Sequence, residues 1–376
     1  MKILGIESSC DETAASVVEN GSKILTNVVA SQIEIHKQFG GVVPEIAARS
    51  HLEIINSVIN QAVKKVGWDN IDAIAVTSKP GLIGALMIGT LAARTYALAK
   101  NIPLISVHHI KGHIYANFLN QENQKNQQTQ NIQFPILALV VSGGHTQIIL
   151  LKSHTDFQIL GSTRDDAIGE VFDKVAKIIG LNYPGGPELS KLAQKYQTEN
   201  YTTKIHFPNA ILKPNPAKLY DGQFDFSFSG LKTAVLRQAQ KMADVNIDFP
   251  SYELAKKLTE NQKIQIAYNF EQTATDTLVG KMQKAANLTN PKTIMLAGGV
   301  AANRVLRAKL QTTFGKTKIP IHIAPPEFCT DNAAMIASAA YFQIQNAQIQ
   351  NGSAQNQANP FADPLDFSIA PRANLN

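Results

Sequence analysis

Two segments of this chain follow one plan, and that repetition limits the fold more than any other feature of the sequence. ILGIESSCDETAASVV (3–18) and ILALVVSGGHTQIILL (136–151) each run from an apolar stretch through a short polar turn into a second apolar stretch. Each reads as two strands joined by a tight turn, with Gly143 and Gly144 supplying the unusual backbone angles in the second. A third segment, TIMLAGGVAANRVLRAKL (293–310), starts as a strand, reaches Gly298-Gly299 and continues as an amphipathic helix with Val305, Leu306 and Leu310 on one side. One strand–turn–strand in each half suggests a duplicated domain. Two such lobes facing each other would aim both turns into one cleft, where exposed backbone N–H groups suit phosphate or carboxylate oxygens. Taken singly, each turn is more simply an ordinary hairpin or helix start; the three together carry the cleft reading.

At 376 residues the chain is too long for one compact core, which also argues for two lobes. Between the repeats, helix and strand alternate. EIAARSHLEIINSVINQAVKKV (45–66) has apolar residues at helical spacing, IDAIAVTS (71–78) reads as a strand, and IPLISVHH (102–109) as the next. GLIGALMIGTLAARTYALAK (81–100) reads as a buried helix, because glycines and Arg94 interrupt it too often for a membrane span. The class is α/β. Two stretches are soft. Ten of the fourteen residues at 120–133 are Asn or Gln, which predicts a surface loop and a lobe boundary. The tail beyond Gln343 has a similar character and is expected to be mobile.

A net charge of +6 is compatible with a polyanionic partner such as RNA, though weakly. Cys10 and Cys329 form no CxxC pair, so the expectation is a reducing cytoplasm rather than a disulfide scaffold. Asp11 and Glu12 follow the first strand too early for a secretory signal.

HHIKGHIYAN (108–117) places His109 and His113 four apart. If Gly112 does not break the segment, both imidazoles lie on one helical face and converge on a metal. A carboxylate would complete such a site, and Asp331, in FCTDNAAMIASAA, is the candidate. Asp331 reads equally well as the N-cap of the alanine-rich helix that follows. The histidine pair alone is also compatible with polar core packing. Asp165, Asp166, Glu170 and Asp173 cluster at one apparent helix start, where acidic residues favour the positive end of the dipole.

In this order the pieces resemble the TsaD family, the tRNA adenosine threonylcarbamoyltransferases. The strings that carry the resemblance are GIESSCDETAASVV, GGVVPEIAARSHL, PGLIGALMIG, VHHIKGHIYAN, LVVSGGHTQI, RDDAIGEVFDKVAKIIGL, YPGGP, FSFSGLKTA, LAGGVAANRVLR and CTDNAAMIA, spanning about residue 3 to 341. The resemblance implies a two-lobed fold of the actin/Hsp70/sugar-kinase (ASKHA) type with duplicated α/β domains. An N-terminal lobe would cover 1–119, joined by the helix near 331–348. A C-terminal lobe would cover 134–330, and 349–376 would be a mobile tail.

It also implies a reaction, transfer of threonylcarbamoyl from threonylcarbamoyl-adenylate to N6 of adenosine 37 in tRNAs reading codons that begin with A. The metal ligands it implies are His109, His113 and Asp331, holding one divalent ion per subunit, Fe(2+) first and Zn(2+) second. The adenylate would be held by Val140, Val141, Ser142, Gly143 and Gly144, with Asp173, Gly186 and Asn303. Asp11 and Glu12, in the first hairpin turn, are candidate proton acceptors. Expected partners are tRNA, a TsaB-type paralogue and a TsaE-type ATPase, with no membrane. One departure is Lys111, where this family commonly has Glu. A zincin peptidase is disfavoured because Ile110 follows His109 where the general base would stand. A small-molecule kinase would use the turns but would not need the His–His–Asp set.

Overall fold

The computed structural model describes residues 1–120, 132–198, 205–209, 212, 215, 217, 219–351, 361–363, 366–373 and 375. Most of the Asn/Gln-rich stretch therefore lies outside the described residues. The first half contains β1 (Lys2–Glu7), β2 (Glu12–Glu19), β3 (Lys23–Ser31), α1 (Ile33–Lys37), α2 (Pro44–Lys64), β4 (Ala73–Lys79), α3 (Ile83–Lys100), β5 (Leu104–His108) and α4 (His109–Tyr115). The second begins with β6 (Ile136–Val141), β7 (Thr146–Leu151), β8 (Phe157–Ser162), α5 (Ile168–Ile178), α6 (Gly185–Gln194), α7 (Ser229–Met242), α8 (Ser251–Leu254) and α9 (Glu260–Thr289). It continues through β9 (Thr293–Ala297), α10 (Arg304–Phe314), β10 (Ile321–Ile323) and α11 (Pro326–Cys329) to α12 (Ala333–Asn351).

The two sheets have the same topology. One has strand order β3-β2-β1-β4-β5, the other β8-β7-β6-β9-β10. In each, a hairpin is antiparallel, with Ile3 opposite Val18 and Leu137 opposite Leu150. A later strand then joins the first one in parallel, with Ile3 beside Ala73 and Leu137 beside Ile294. The duplicated hairpins of the sequence are thus the centres of two five-stranded lobes. β6 is buried at every position, as a strand covered on both faces must be.

α12 crosses back from the far end of the chain to pack on the first sheet. Gly5 permits the contact: a Cβ there would lie 2.9 Å from the Ala337 nitrogen of α12. α4 is wedged between this helix and the lobes by Ile110 and Ile114, both essentially fully buried and worth about 1.5–3 kcal/mol each. One continuous apolar cluster runs from Ile3 through Ile110 and Met335 to Leu137, so the lobes share a core at this junction.

One expectation needs correction. α3 is not a buried helix: Ala85, Leu86, Gly89 and Ala93 face inward, while Ile83, Met87, Leu91 and Leu98 are each more than half exposed. Helical hydropathy cannot separate these cases, because an exposed apolar stripe and a buried one have the same spacing. No described helix is long and apolar enough to cross a membrane. Where it is described, the tail makes backbone hydrogen bonds to the first lobe. Ala362 N donates to Leu104 O, Ala370 N to Ser78 O, and Gly81 N to Pro371 O.

Candidate active site

α4 begins where β5 ends. His108 caps it, its Nδ1 accepting from Ile110 N at 3.2 Å. Gly112 does not break the helix; it lets the helix lie against α12, since a Cβ would come within 2.7 Å of Ile336 Cδ1. That close approach carries His113 up to Asp331, just ahead of α12. The cap of α12 is Asn332, whose Oδ1 accepts from Met335 N at 3.0 Å. Asp331 is therefore released from the N-cap role that its sequence context equally allowed.

His109, His113 and Asp331 offer ligand atoms that all lie within 4.8 Å of one another. His113 Nε2 is 3.2 Å from Asp331 Oδ1 and His109 Nε2 is 3.6 Å from it, with the two rings edge-on at 4.6 Å. Neither nitrogen of the buried His113 has a well-aligned hydrogen-bond partner among the described residues. A buried imidazole in that condition, beside a carboxylate and a second imidazole, fits a divalent cation. Asp331 is held well below the usual carboxylate range: burial would raise it, but the His109 and His113 imidazoles outweigh that.

Glu7 was not singled out from sequence. It sits at the end of β1, completely buried, with Oε2 3.0 Å from His109 Nδ1 and accepting from Thr77 Oγ1 at 2.6 Å. Ser9 Oγ is also 3.1 Å from His109 Nδ1. This carboxylate fixes the ring so that Nε2 points toward Asp331 and His113. Burial disfavours the His109 cation, yet Asp331 and Glu7 hold its pKa up at about 9 before any metal arrives. The only sequence signal was a charged residue ending an apolar strand. His145 is a second omission. Burial first, then the positive fields of His109 and His113, push it down to about 4, so it faces the site uncharged.

The β1–β2 turn faces the same centre. Glu12 is raised to about 10, by burial first and then by the Asp331 and Asp11 carboxylates. In the metal-free protein it is protonated at neutral pH and cannot serve as a base. Asp11 also lies within electrostatic reach of Asp173 and Tyr183, which belong to the other lobe. The two turns therefore share one cleft.

On that second side, Val140 and Val141 bury their side chains in β6, so only their backbone is available to a ligand. Gly143 and Gly144 lie beyond them at the turn, both exposed, and neither has the positive φ that the sequence pattern suggested. The turn leans on the start of α5, where a Cβ at Gly169 would stand 2.6 Å from Ser142 O and 2.9 Å from Gly143 N. Gly169→Ala is expected to cost about 1–3 kcal/mol through overpacking. A lowered denaturation midpoint checks this, and an unchanged one would show that the turn yields freely.

Asp173 Oδ1 accepts from Gly185 N at 2.8 Å and Gly186 N at 3.3 Å, tying down the start of α6. Asn303 caps α10 through Leu306 N, and its Nδ2 donates to Ser190 Oγ at 3.0 Å and Glu271 Oε1 at 2.7 Å. Both residues hold helix N-termini of the second lobe in place. Ser190 and Glu271 are further members of this network that sequence reading did not identify.

A profile described as TsaD, tRNA N6-adenosine threonylcarbamoyltransferase, matches residues 23–338. The chain belongs to the TsaD family. Two TsaD relatives named tRNA N6-adenosine threonylcarbamoyltransferase bear this out along their length. The one from Bacillus anthracis is 48% identical over 353 residues, covering 92% of this chain and 93% of the relative. The one from Bacillus subtilis (strain 168) is 49% identical over 342 residues, covering 90% and 89%. Among solved structures, T.kodakarensis HypF matches with a TM-score of 0.57 at 14% identity, over 92% of this chain and 48% of that one. At that identity the likeness concerns the fold alone. It agrees with the two-lobed ASKHA class for this TsaD member.

Proposed function

We propose that the chain transfers the threonylcarbamoyl group from threonylcarbamoyl-adenylate to N6 of adenosine 37 in tRNAs reading codons that begin with A, forming t6A and releasing AMP. The observation that carries this reading is the convergence of His109, His113 and Asp331 in one cleft with the glycine turn of a TsaD chain. The bond between the carbamoyl carbon and the phosphate oxygen breaks, a C–N bond to adenine forms, and N6 loses a proton.

The electrophile is a mixed anhydride and needs no covalent enzyme intermediate. Adenine N6 is a weak nucleophile, so the protein's tasks are alignment and charge stabilisation. The N–H groups of the 140–144 turn and the α6 start held by Asp173 bind and orient the adenylate, with Gly186 at that start and Asn303 at the head of α10. Asp11 and Glu12, both in the β1–β2 turn, are the candidates to take the N6 proton. A divalent cation held by the triad supplies Lewis acidity toward substrate oxygens. Two imidazoles and one carboxylate suit iron first and zinc second.

The exposed apolar face of α3, together with the exposed Leu52 of the adjoining α2, suits a TsaB-type paralogue; a TsaE-type ATPase completes the proposed machinery. Free Cys10 and Cys329 suit a reducing cytoplasm. The peptidase reading has Ile110 after His109 where the motif's glutamate would stand, and the kinase reading leaves the triad without a task.

Purified chain, both partners, threonylcarbamoyl-adenylate and unmodified tRNA are expected to yield t6A. A chelator is expected to stop the reaction, and added Fe(2+) or Zn(2+) to restore it. Persistent absence of the modified nucleoside from a metal-loaded, fully assembled mixture would remove this reading.

A further inference from the structure

On α4, His109 and His113 face the metal side. Lys111 and Tyr115, each two residues on, fall on the opposite side of the helix. There they line a separate cavity of about 360 Å³, bounded also by Lys79 of β4, Ser106 of β5, the loop carrying His154 and Thr155, and Gln343 of α12. The size is at the lower end of small-ligand sites.

The lining brings two lysine ammonium groups together and, among the described residues, contains no carboxylate. Among the same residues, neither Lys79 nor Lys111 forms an ion pair. Lys111 Nζ instead stands 4.5 Å from the centre of the Phe157 ring. Like charges held together in a concave, partly desolvated space normally have an anion between them. Ser106, Thr155 and Gln343 add neutral polar side chains to the lining, with Ser106 Oγ already paired to Ser78 Oγ at 2.6 Å.

We propose that this cavity, on the far side of α4 from the metal triad, binds a small free phosphate compound between Lys79 and Lys111. Two positive charges and no acid match a multiply charged oxyanion better than a single carboxylate. The occupant is distinct from the adenylate, which the proposed function places in the cleft on the other side of α4. Because α4 carries His109 and His113, an anion bound here would also bear on the helix that holds the metal.

The test is calorimetric titration of the full chain with inorganic pyrophosphate, comparing wild type with Lys79→Gln/Lys111→Gln. The metal triad and glycine turns are intact in both proteins, so any phosphate they hold cancels in the comparison. Wild type is expected to bind one equivalent more tightly than the double variant, with a loss of about 10-fold or more per lysine, and with affinity that weakens as salt rises. Pyrophosphate should also raise the thermal midpoint of wild type more than that of the variant. Should the double variant fail to fold, Lys79→Gln and Lys111→Gln singly are each expected to show the partial loss. Equal binding by wild type and folded variants, or no binding by wild type at millimolar pyrophosphate, overturns the site. A loss confined to tRNA affinity, with pyrophosphate unbound, would assign the lysines to RNA contact and equally overturn it.

Discussion

Asp331→Ala protein is expected to purify without stoichiometric metal and to form t6A about 10²- to 10³-fold more slowly than wild type. Asp331 is the only anionic member of the triad, and its Oδ1 lies within 3.2 Å of His113 and 3.6 Å of His109. Removing it leaves two imidazoles to hold a dication alone. The fold should survive, because the cap of α12 belongs to Asn332 and the helix rests on its contact with Gly5. Elemental analysis of the purified variant and chromatography of tRNA nucleosides read the two effects separately. Full metal occupancy with full transfer would show that the centre lies elsewhere. Lost transfer with metal retained would make Asp331 a substrate contact instead of a ligand.

Glu7→Gln should weaken metal binding by about 10- to 100-fold without touching a ligand. Burial opposes the Glu7 charge, but His109 and the Thr77 hydroxyl more than compensate, and its pKa lies below the ordinary carboxylate value. The amide keeps the shape and removes the charge that orients the imidazole. Glu7→Ala goes further. It leaves His109 Nδ1, Thr77 Oγ1 and Ser9 N short of an acceptor they share in a completely buried pocket. About 3–5 kcal/mol of stability should be lost with it. Competition with a chromophoric chelator measures the first effect and denaturant unfolding the second. Wild-type metal affinity in Glu7→Gln would make Glu7 a structural acid with no influence on the centre.

The hairpins and the histidine pair were legible because each is a local pattern. Strand alternation around a Gly-Gly turn and an i, i+4 spacing are complete within a few residues. Asp331 was half legible: Asp331 and Asn332 carry the same capping signal, and only the bond from Met335 N to Asn332 decides between them. Glu7 was invisible because its meaning comes from His109, 102 residues away in sequence. The burial and the carboxylate neighbours that raise Glu12 in the metal-free protein are tertiary and leave no mark in its own segment. The cap that Asn303 places on α10 is local, through Leu306 N, whereas its bond to Glu271 and the hold of Asp173 on α6 join separate segments and leave no local pattern. The contacts of the tail are tertiary as well. Its composition is polar, yet its few apolar residues find places, Phe367 against the first-lobe core and Leu375 against the shared one.

The way α12 closes under the first sheet has a consequence for how the protein is made. Glu7 and the two histidines leave the ribosome early, but the aspartate and the helix that seats it emerge only after the whole second lobe. A nascent chain therefore exposes the underside of its first sheet, with half a metal-binding cage, for most of its synthesis. Loading must await the closing stage of translation, and a product cut short before Ala333 would be a sticky, metal-free fragment, a natural client for chaperones and proteases.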